Sequence, residues 1–355
     1  MHRTSALIVG GGPAGAATAT VLARAGAMPV VIERSRGPHD PVCGGFLGWD
    51  AIAALGKLGL DPHSLGARPI HRLRLVAGRR IVEARLPHEA AGLSRRTLDA
   101  ALLGLAEAAG ASVLRGRTAR AVSGNRVRLD GNEELAGDAL FLATGKHELR
   151  GAERDIGDRP VSVGLRAALP GRAGLAMALD GTIELHLFDG GYCGLLLQED
   201  GTANLCLSVA RGRMSASGGP AALIRSLARE APLLIDRIGD TLPGRWDAIA
   251  GVPYGWRAKT GEADRYRVGD QAAVIASLAG DGIAIALTSG MAAADSFLRG
   301  EADFQAGFAR RAARPVRVAE LLRHLAEHRF GRGPMMTLAA VPGVAATAAR
   351  LTRIG

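Results

Sequence analysis

Residues 7–15 read Leu-Ile-Val-Gly-Gly-Gly-Pro-Ala-Gly, so Gly10, Gly12 and Gly15 satisfy G-x-G-x-x-G. The apolar run Ala6–Val9 before them predicts a buried strand, and Ala16–Ala25 after them predicts a helix. A second apolar run, Pro29–Ile32, ends at Glu33. Strand, glycine turn, helix, strand and acid together make the βαβ dinucleotide-binding fingerprint. Gly10 allows the tight turn, Gly12 lets a diphosphate approach the backbone, and Gly15 lets helix and strand pack closely. Pro13 and Ala14 lead into the helix, whose N-terminus offers unpaired N–H groups and a positive dipole end to phosphate. Glu33, with Arg34 beside it, is placed to accept from a ribose hydroxyl.

Composition narrows the class. A chain of 355 residues that is 48% hydrophobic can bury a large core, in one large domain or two intertwined ones. The formal charge of +10 could signal nucleic acid, anionic lipid or an acidic carrier. Only Lys57, Lys146 and Lys259 are lysines, however, and scattered arginines read as genomic base composition. No nucleic-acid motif is present, so no nucleic-acid partner is expected. Cys43, Cys193 and Cys206 give neither a disulfide framework nor a metal-ligand spacing, which fits a reducing, cytoplasmic setting and no metal. The first strand starts near Ala6 and leaves no room for a signal peptide. The apolar stretch 272–294 is broken by Asp281 and glycines and does not read as a transmembrane helix. Gly333–Ala349 carries no charge and is flanked by Arg332 and Arg350. It reads as a buried or lid helix, or as a contact with a membrane surface.

Along the chain, an amphipathic helix is expected at Trp49–Leu58, a hairpin around Gly78 within 70–86, and a helix from Arg95 to Ala109 capped by Ser94. Val113–Leu114, Arg120–Leu129 and Ala139–Ala143 read as strands. Ile183–Phe188, Tyr192–Leu197 and Ala203–Val209 read as antiparallel strands, followed by a helix at Pro220–Ala231. A short strand at Gly269–Asp270, a long helix from Gly282, and a helical tail from Glu301 to Arg329 complete the pattern.

Four separated elements resemble the flavoprotein superfamily of the aromatic hydroxylase and geranylgeranyl reductase type, over about residues 5–300. The fingerprint is the first. Ser94-Arg95-Arg96-Thr97-Leu98-Asp99 is similar to the family's R-x-x-[LF]-D helix start, and Ala143-Thr144-Gly145 to its strand end beside the ADP moiety. Residues 269–294 resemble the reductase pattern G-D-A-A-x-x-x-x-P-L-x-G-E-G-I with its following A-x-x-S-G helix, and Ser277 replaces the family's proline. Pro41-Val42-Cys43-Gly44-Gly45 looks like the C-G-G loop of the reductases. Tyr192 keeps the first position of their Y-x-W-x-F-P strand, but Cys193-Gly194-Leu195 replaces its bulky part. Thr144-Gly145-Lys146-His147 departs from the hydroxylases' Asp-Gly, and the tryptophan halogenase motif is absent.

The resemblance implies FAD as cofactor. Arg95 would lie near the flavin phosphates or ribityl chain, and Thr144 and Gly145 near the ADP part. Gly269 and Asp270 would lie at the ribityl hydroxyls, Gly280, Gly282 and Ile283 at the pyrimidine edge, and Cys43 and Gly44 beside the ring. Cys43 is also a candidate proton donor or a small structural thiol. Tyr192 is a candidate pocket acid or an ordinary packing residue.

The expected fold is α/β: a Rossmann-like FAD-binding domain, an inserted, mostly antiparallel substrate domain, and a helical C-terminal segment. The boundaries are 1–69, 93–158 and 259–300 for the first, 70–92 and 159–258 for the second, and 301–355 for the third. The expected activity is flavin hydride transfer at a carbon–carbon bond of a hydrophobic isoprenoid- or polyketide-like molecule, carrier- or membrane-associated. The alternative is an FAD-dependent monooxygenase of an aromatic or polyketide-like metabolite. No second fingerprint is present, so NAD(P)H would visit transiently as donor, and a cytoplasmic protein peripheral to the membrane is compatible with the tail.

Overall fold

A computed structural model describes residues 3–240 and 242–354. The chain begins with β1 (Arg3–Val9), α1 (Pro13–Arg24), β2 (Pro29–Glu33), β3 (Phe46–Leu47) and α2 (Trp49–Leu58). The hairpin β4 (Arg68–Ala77) and β5 (Arg80–Gly92) follows, then α3 (Arg95–Ala108). Next come β6 (Ser112–Arg115), β7 (Ala119–Ser123), β8 (Arg126–Leu129) and β9 (Glu134–Leu142). The middle holds β10 (Ser162–Leu169), α4 (Ala173–Leu179), β11 (Thr182–Phe188), β12 (Gly191–Leu197) and β13 (Ala203–Ala210). Three short helices, α5 (Arg211–Ser217), α6 (Pro220–Ser226) and α7 (Pro232–Ile238), lead to β14 (Asp247–Val252) and β15 (Arg265–Arg267). The chain then stays helical through α8 (Gly282–Leu298), α9 (Phe304–Arg311), α10 (Ala313–Glu327), α11 (Arg329–Ala339) and α12 (Val344–Leu351).

Two sheets organise these elements. The first runs β6-β2-β1-β9-β8-β7, with β15 also pairing β9. Its β6, β2, β1, β9 and β15 are parallel, as βαβ crossovers require. Helices α1 and α8 pack on one face, and Thr18 Oγ1 donates to Gly290 O across their contact at 3.1 Å. The second sheet runs β14-β10-β13-β12-β11-β4-β5-β3 and is antiparallel except for β11 on β4. It draws in Phe46–Leu47 and starts its hairpin at Arg68, both upstream of residue 70. The expected α/β architecture with a helical tail is thus the one found.

Four local expectations are corrected. Arg120–Leu129 is a hairpin of two strands, because Gly124 takes φ +55° and turns the chain. The helix expected over 220–231 ends at Ser226, and Pro232 opens a separate one. The strand before the Gly269 turn is Arg265–Arg267; Gly269 itself has φ +62° and begins a single 3-10 turn. Helicity does not stop at Arg329: His328 is extended and α11 restarts directly after it. Among the described residues no helix is long and apolar enough to cross a membrane, and no cluster of metal-ligating side chains is present.

Candidate functional site

One cavity of about 1180 Å³ lies where the two sheets and the helical tail meet. At one end is the glycine turn after β1. Gly10 has φ +109°, and a Cβ there would stand 2.3 Å from the Ala143 carbonyl oxygen. A Cβ on Gly15 would stand 1.9 Å from Gly10 O, so this position admits only glycine. Gly12 serves as the α1 N-cap and supplies no side-chain bond, which leaves the first N–H groups, next to Pro13 and Ala14, open to the cavity. Glu33 closes the turn, accepting from Gly11 N and Ser35 N at 2.7 Å each. Each carboxylate oxygen keeps a second acceptor site. Arg34 is bonded to His147 at 2.9 Å. Burial, then Arg34, holds the His147 imidazole below its ordinary pKa.

Arg95 reaches this turn from α3. Ser94 caps that helix as expected, accepting from Thr97 N at 3.1 Å, and is itself held by Glu199 from the turn after β12. Arg95 grips Asp99 through two 2.7 Å bonds. Burial works against the guanidinium charge, but Asp99 outweighs it and holds its pKa above the usual value.

The strand end after β9 and the turn after β15, 120 and more residues apart, form one unit. Lys146 Nζ lies 3.0 Å from Asp270 Oδ2. Gln271 Nε2 donates to the carbonyls of Gly145 and His147 at 3.0 Å each. Buried Arg154 donates to Asp270 O and Lys146 O. Thr144 Oγ1 bonds His147 O at 2.7 Å, and Gly269 N bonds Ser289 Oγ at 2.8 Å. Burial lowers the Lys146 pKa, but Asp270 and Tyr254 raise it more, so Lys146 is a fixed positive charge in the wall. Sequence reasoning missed Lys146 and Arg154; the departure at Thr144-Gly145-Lys146-His147 was the available signal.

The Cys43-Gly44-Gly45 loop crosses the middle of the cavity. Asn204 Nδ2 donates to Cys43 O at 2.9 Å, Asn204 Oδ1 accepts from Arg166, and Arg166 pairs with Asp40 at 3.0 Å. The loop is therefore pinned to β10 and β13, by residues no sequence motif announces. Cys206 lines the same cavity, and burial, then Cys43, pushes its thiol up to about 12.

Opposite the loop, the Gly280–Gly282 turn opens α8. Asp281 gives that helix no side-chain cap, so a second helix N-terminus, at Gly282 and Ile283, opens on the cavity. Asp281 instead accepts from Arg353 Nη1 and Ile354 N, each at 3.0 Å. Ser277, where the family has proline, ties this turn down: its Oγ bonds Tyr192 OH at 2.6 Å and Tyr254 OH at 2.9 Å, and Leu278 N donates to Tyr192 OH at 3.0 Å. Burial, then Tyr254, raises the Tyr192 pKa well above 10, so the phenol stays protonated. Tyr192 both lines the cavity and packs in the strand. His186 of β11 bonds Glu184 at 3.1 Å.

Beyond the loop the walls become apolar: Leu73, Leu75, Ile183 and Leu185 from the second sheet face Met335 and Leu338 of α11 and Val344 of α12. The uncharged C-terminal stretch is thus a lid over the cavity.

The two uncapped helix N-termini, the glycine cradle and the Glu33, Arg95 and Asp270 side chains fit a dinucleotide carrying a ring system. A model for the FAD binding domain matches residues 3–132. The chain is 31% identical over 313 residues to the menaquinone reductase of Mycobacterium tuberculosis, covering 81% of this chain and 75% of that one. It is 35% identical over 120 residues to the chloroplastic geranylgeranyl diphosphate reductase of Oryza sativa, which is 32% of this chain and only 25% of the rice protein. In fold it is similar to a geranylgeranyl bacteriochlorophyll reductase-like protein from Thermoplasma acidophilum, with TM-score 0.78, 17% identity and coverage of 99% and 95%. It is also similar to a probable FAD-dependent monooxygenase from Pseudomonas aeruginosa, with TM-score 0.73, 20% identity and coverage of 95% and 100%.

Proposed function

Since the chain belongs to the family of FAD-dependent enzymes that includes menaquinone reductase, we propose that it saturates a carbon–carbon double bond of a hydrophobic isoprenoid- or polyketide-like molecule. What carries this reading is the cavity itself: polar at the glycine cradle, apolar beyond Cys43-Gly44-Gly45, and large enough for a cofactor and a chain-like substrate. The names of the two relatives, a menaquinone reductase and a geranylgeranyl diphosphate reductase, support a substrate of this class.

Bound FAD, once reduced by two electrons from a donor, would supply the hydride. The turn Gly10–Gly15 with Pro13 and Ala14 would hold its diphosphate, Glu33 and Arg34 the adenosine ribose side, and Thr144 and Gly145 the ADP part. Arg95 would face a phosphate or the ribityl chain, and Gly269 and Asp270 the ribityl hydroxyls. The α8 N-terminus at Gly280, Gly282 and Ile283 would stabilise negative charge at the ring edge. Cys43 and Gly44 would lie against the ring. A hydride added to one carbon leaves its neighbour to take a proton, and we assign that proton to the Cys43 thiol, with Tyr192 and Tyr254 holding the opposite turn in place. Reduced nicotinamide is the proposed donor, visiting transiently.

The test is anaerobic. Protein with its FAD reduced is mixed with a polyprenyl acceptor. The expected result is return of the oxidised flavin absorption together with a product heavier by one dihydrogen. Product formation only with oxygen, with an oxygen atom incorporated, would overturn the reading in favour of a monooxygenase.

A further inference from the structure

Helix α11 has two faces. Inward, Met335, Met336 and Ala339 pack against Leu75, Val82 and Tyr192. Outward, Phe330, Leu338 and Val341 are 79%, 57% and 49% exposed, and Pro334 is exposed with them. Positions 330, 334 and 338 fall on one stripe of α11, and Val341 follows in the turn just beyond its end. The tip of the β4–β5 hairpin adjoins this face: Arg80 donates to Thr337 Oγ1 of α11 at 3.1 Å.

The rim of this patch is cationic. Arg329 lies over the Phe330 ring at 4.6 Å, and Arg79 and Arg80 are exposed beside the stripe. None of these three arginines pairs with a carboxylate among the described residues, and residues 328–355 contain no aspartate or glutamate. Asp189 offsets Arg332 alone, at 3.8 Å. An apolar stripe on a lone helix face, ringed by arginines, matches the anionic interface of a bilayer.

The patch is also continuous with the site. Leu338 is more than half exposed yet lines the cavity, as do Met335 one turn earlier and the adjacent Ala339. A single helix therefore separates the apolar end of the cavity from the outside.

We propose that the outward face of α11, with Arg79 and Arg80 at the hairpin tip, docks on an anionic lipid bilayer and opens the cavity to substrate held in that bilayer. The docking stands on the surface alone; the entry route rests on the substrate class proposed above.

The test is flotation of the FAD-loaded protein with vesicles of phosphatidylcholine, with and without phosphatidylglycerol, and no substrate. The protein is expected to float with the anionic vesicles and, in high salt or with neutral vesicles, to float at least about tenfold less. The double variant Phe330→Ser/Val341→Ser, at two residues that do not line the cavity, should lose at least about tenfold of the vesicle binding while keeping its FAD and its melting temperature. Met28→Ser/Met177→Ser, at apolar side chains exposed elsewhere, should float like the parent. Failure of the parent to float, equal flotation of the α11 variant, or a parent dimer that this variant converts to monomers without changing flotation would each overturn the proposal. None of these outcomes bears on whether the anaerobic hydride test succeeds.

Discussion

The Arg353 guanidinium lies 3.0 Å from a carboxylate oxygen of Asp281, the residue immediately before α8. The same guanidinium stacks 4.3 Å over the Trp49 ring and donates to Gly280 O. Asp281 is fully buried, and burial, then Asp50, pushes its carboxyl well above the usual range. Arg353→Ala therefore leaves a buried carboxyl without its main hydrogen-bond donor, and the expected loss is about 2 kcal/mol of unfolding free energy by denaturant titration. Bound flavin should fall with it, since the turn this arginine holds faces the cavity. Unchanged stability and flavin content would show that Arg353 is dispensable.

Gly12 and Gly15 separate the cradle from the scaffold. A Cβ on Gly12 would meet first the flexible end of Arg95, at 3.3 Å, whereas one on Gly15 would meet backbone at 1.9 Å. Gly12→Val is expected to fold with a near-parental melting temperature and to purify without FAD. Gly15→Ala should lower the melting temperature itself. Stoichiometric FAD in purified Gly12→Val would sink the cradle assignment.

Cys43 is held by its backbone, through Asn204, and its thiol accepts from Gly45 N at 3.5 Å. Cys43→Ser should keep FAD and slow turnover, by roughly 10²-fold if the thiol is the proton source. A turnover rate equal to the parent's would make Cys43 a packing residue.

The first sheet was legible because its signals are local. The strand, glycines, helix and Glu33 of the fingerprint lie within one βαβ unit, and Ser94 announces the α3 start by its own side chain. What stayed hidden was non-local. Nothing at Asn204 or Arg166 says that they anchor a loop more than 120 residues upstream. Ser277 read as a lost proline because its two tyrosine partners come from separate strands and loops. Lys146 read as a departure from a pattern, since Asp270 joins it only through folding.

Beneath the second sheet, Glu184 carries an acid-sensitive part of the stability. It is fully buried and bonded to Arg74, Arg237 and His186. Burial pushes its carboxyl up, but His186, Arg237 and Arg74 pull it down to about 2 from 4.5. A depressed carboxyl stabilises the fold above its unfolded value and ceases to do so as pH falls through the folded one, so the loss runs from about pH 4.5 to about pH 2 and amounts to about 3 kcal/mol. Glu184→Gln should be less stable at neutral pH and show a flatter dependence across that window in pH-resolved denaturation. An unchanged acid limb would assign it to other groups.

The tie between Arg353, Ile354 and Asp281 also orders events in time. Synthesis delivers the Gly280–Gly282 turn some seventy residues before the arginine that fastens it exists. A nascent chain carrying both sheets and α8 still lacks that clamp, so the pocket reaches its final form only after translation has passed residue 354.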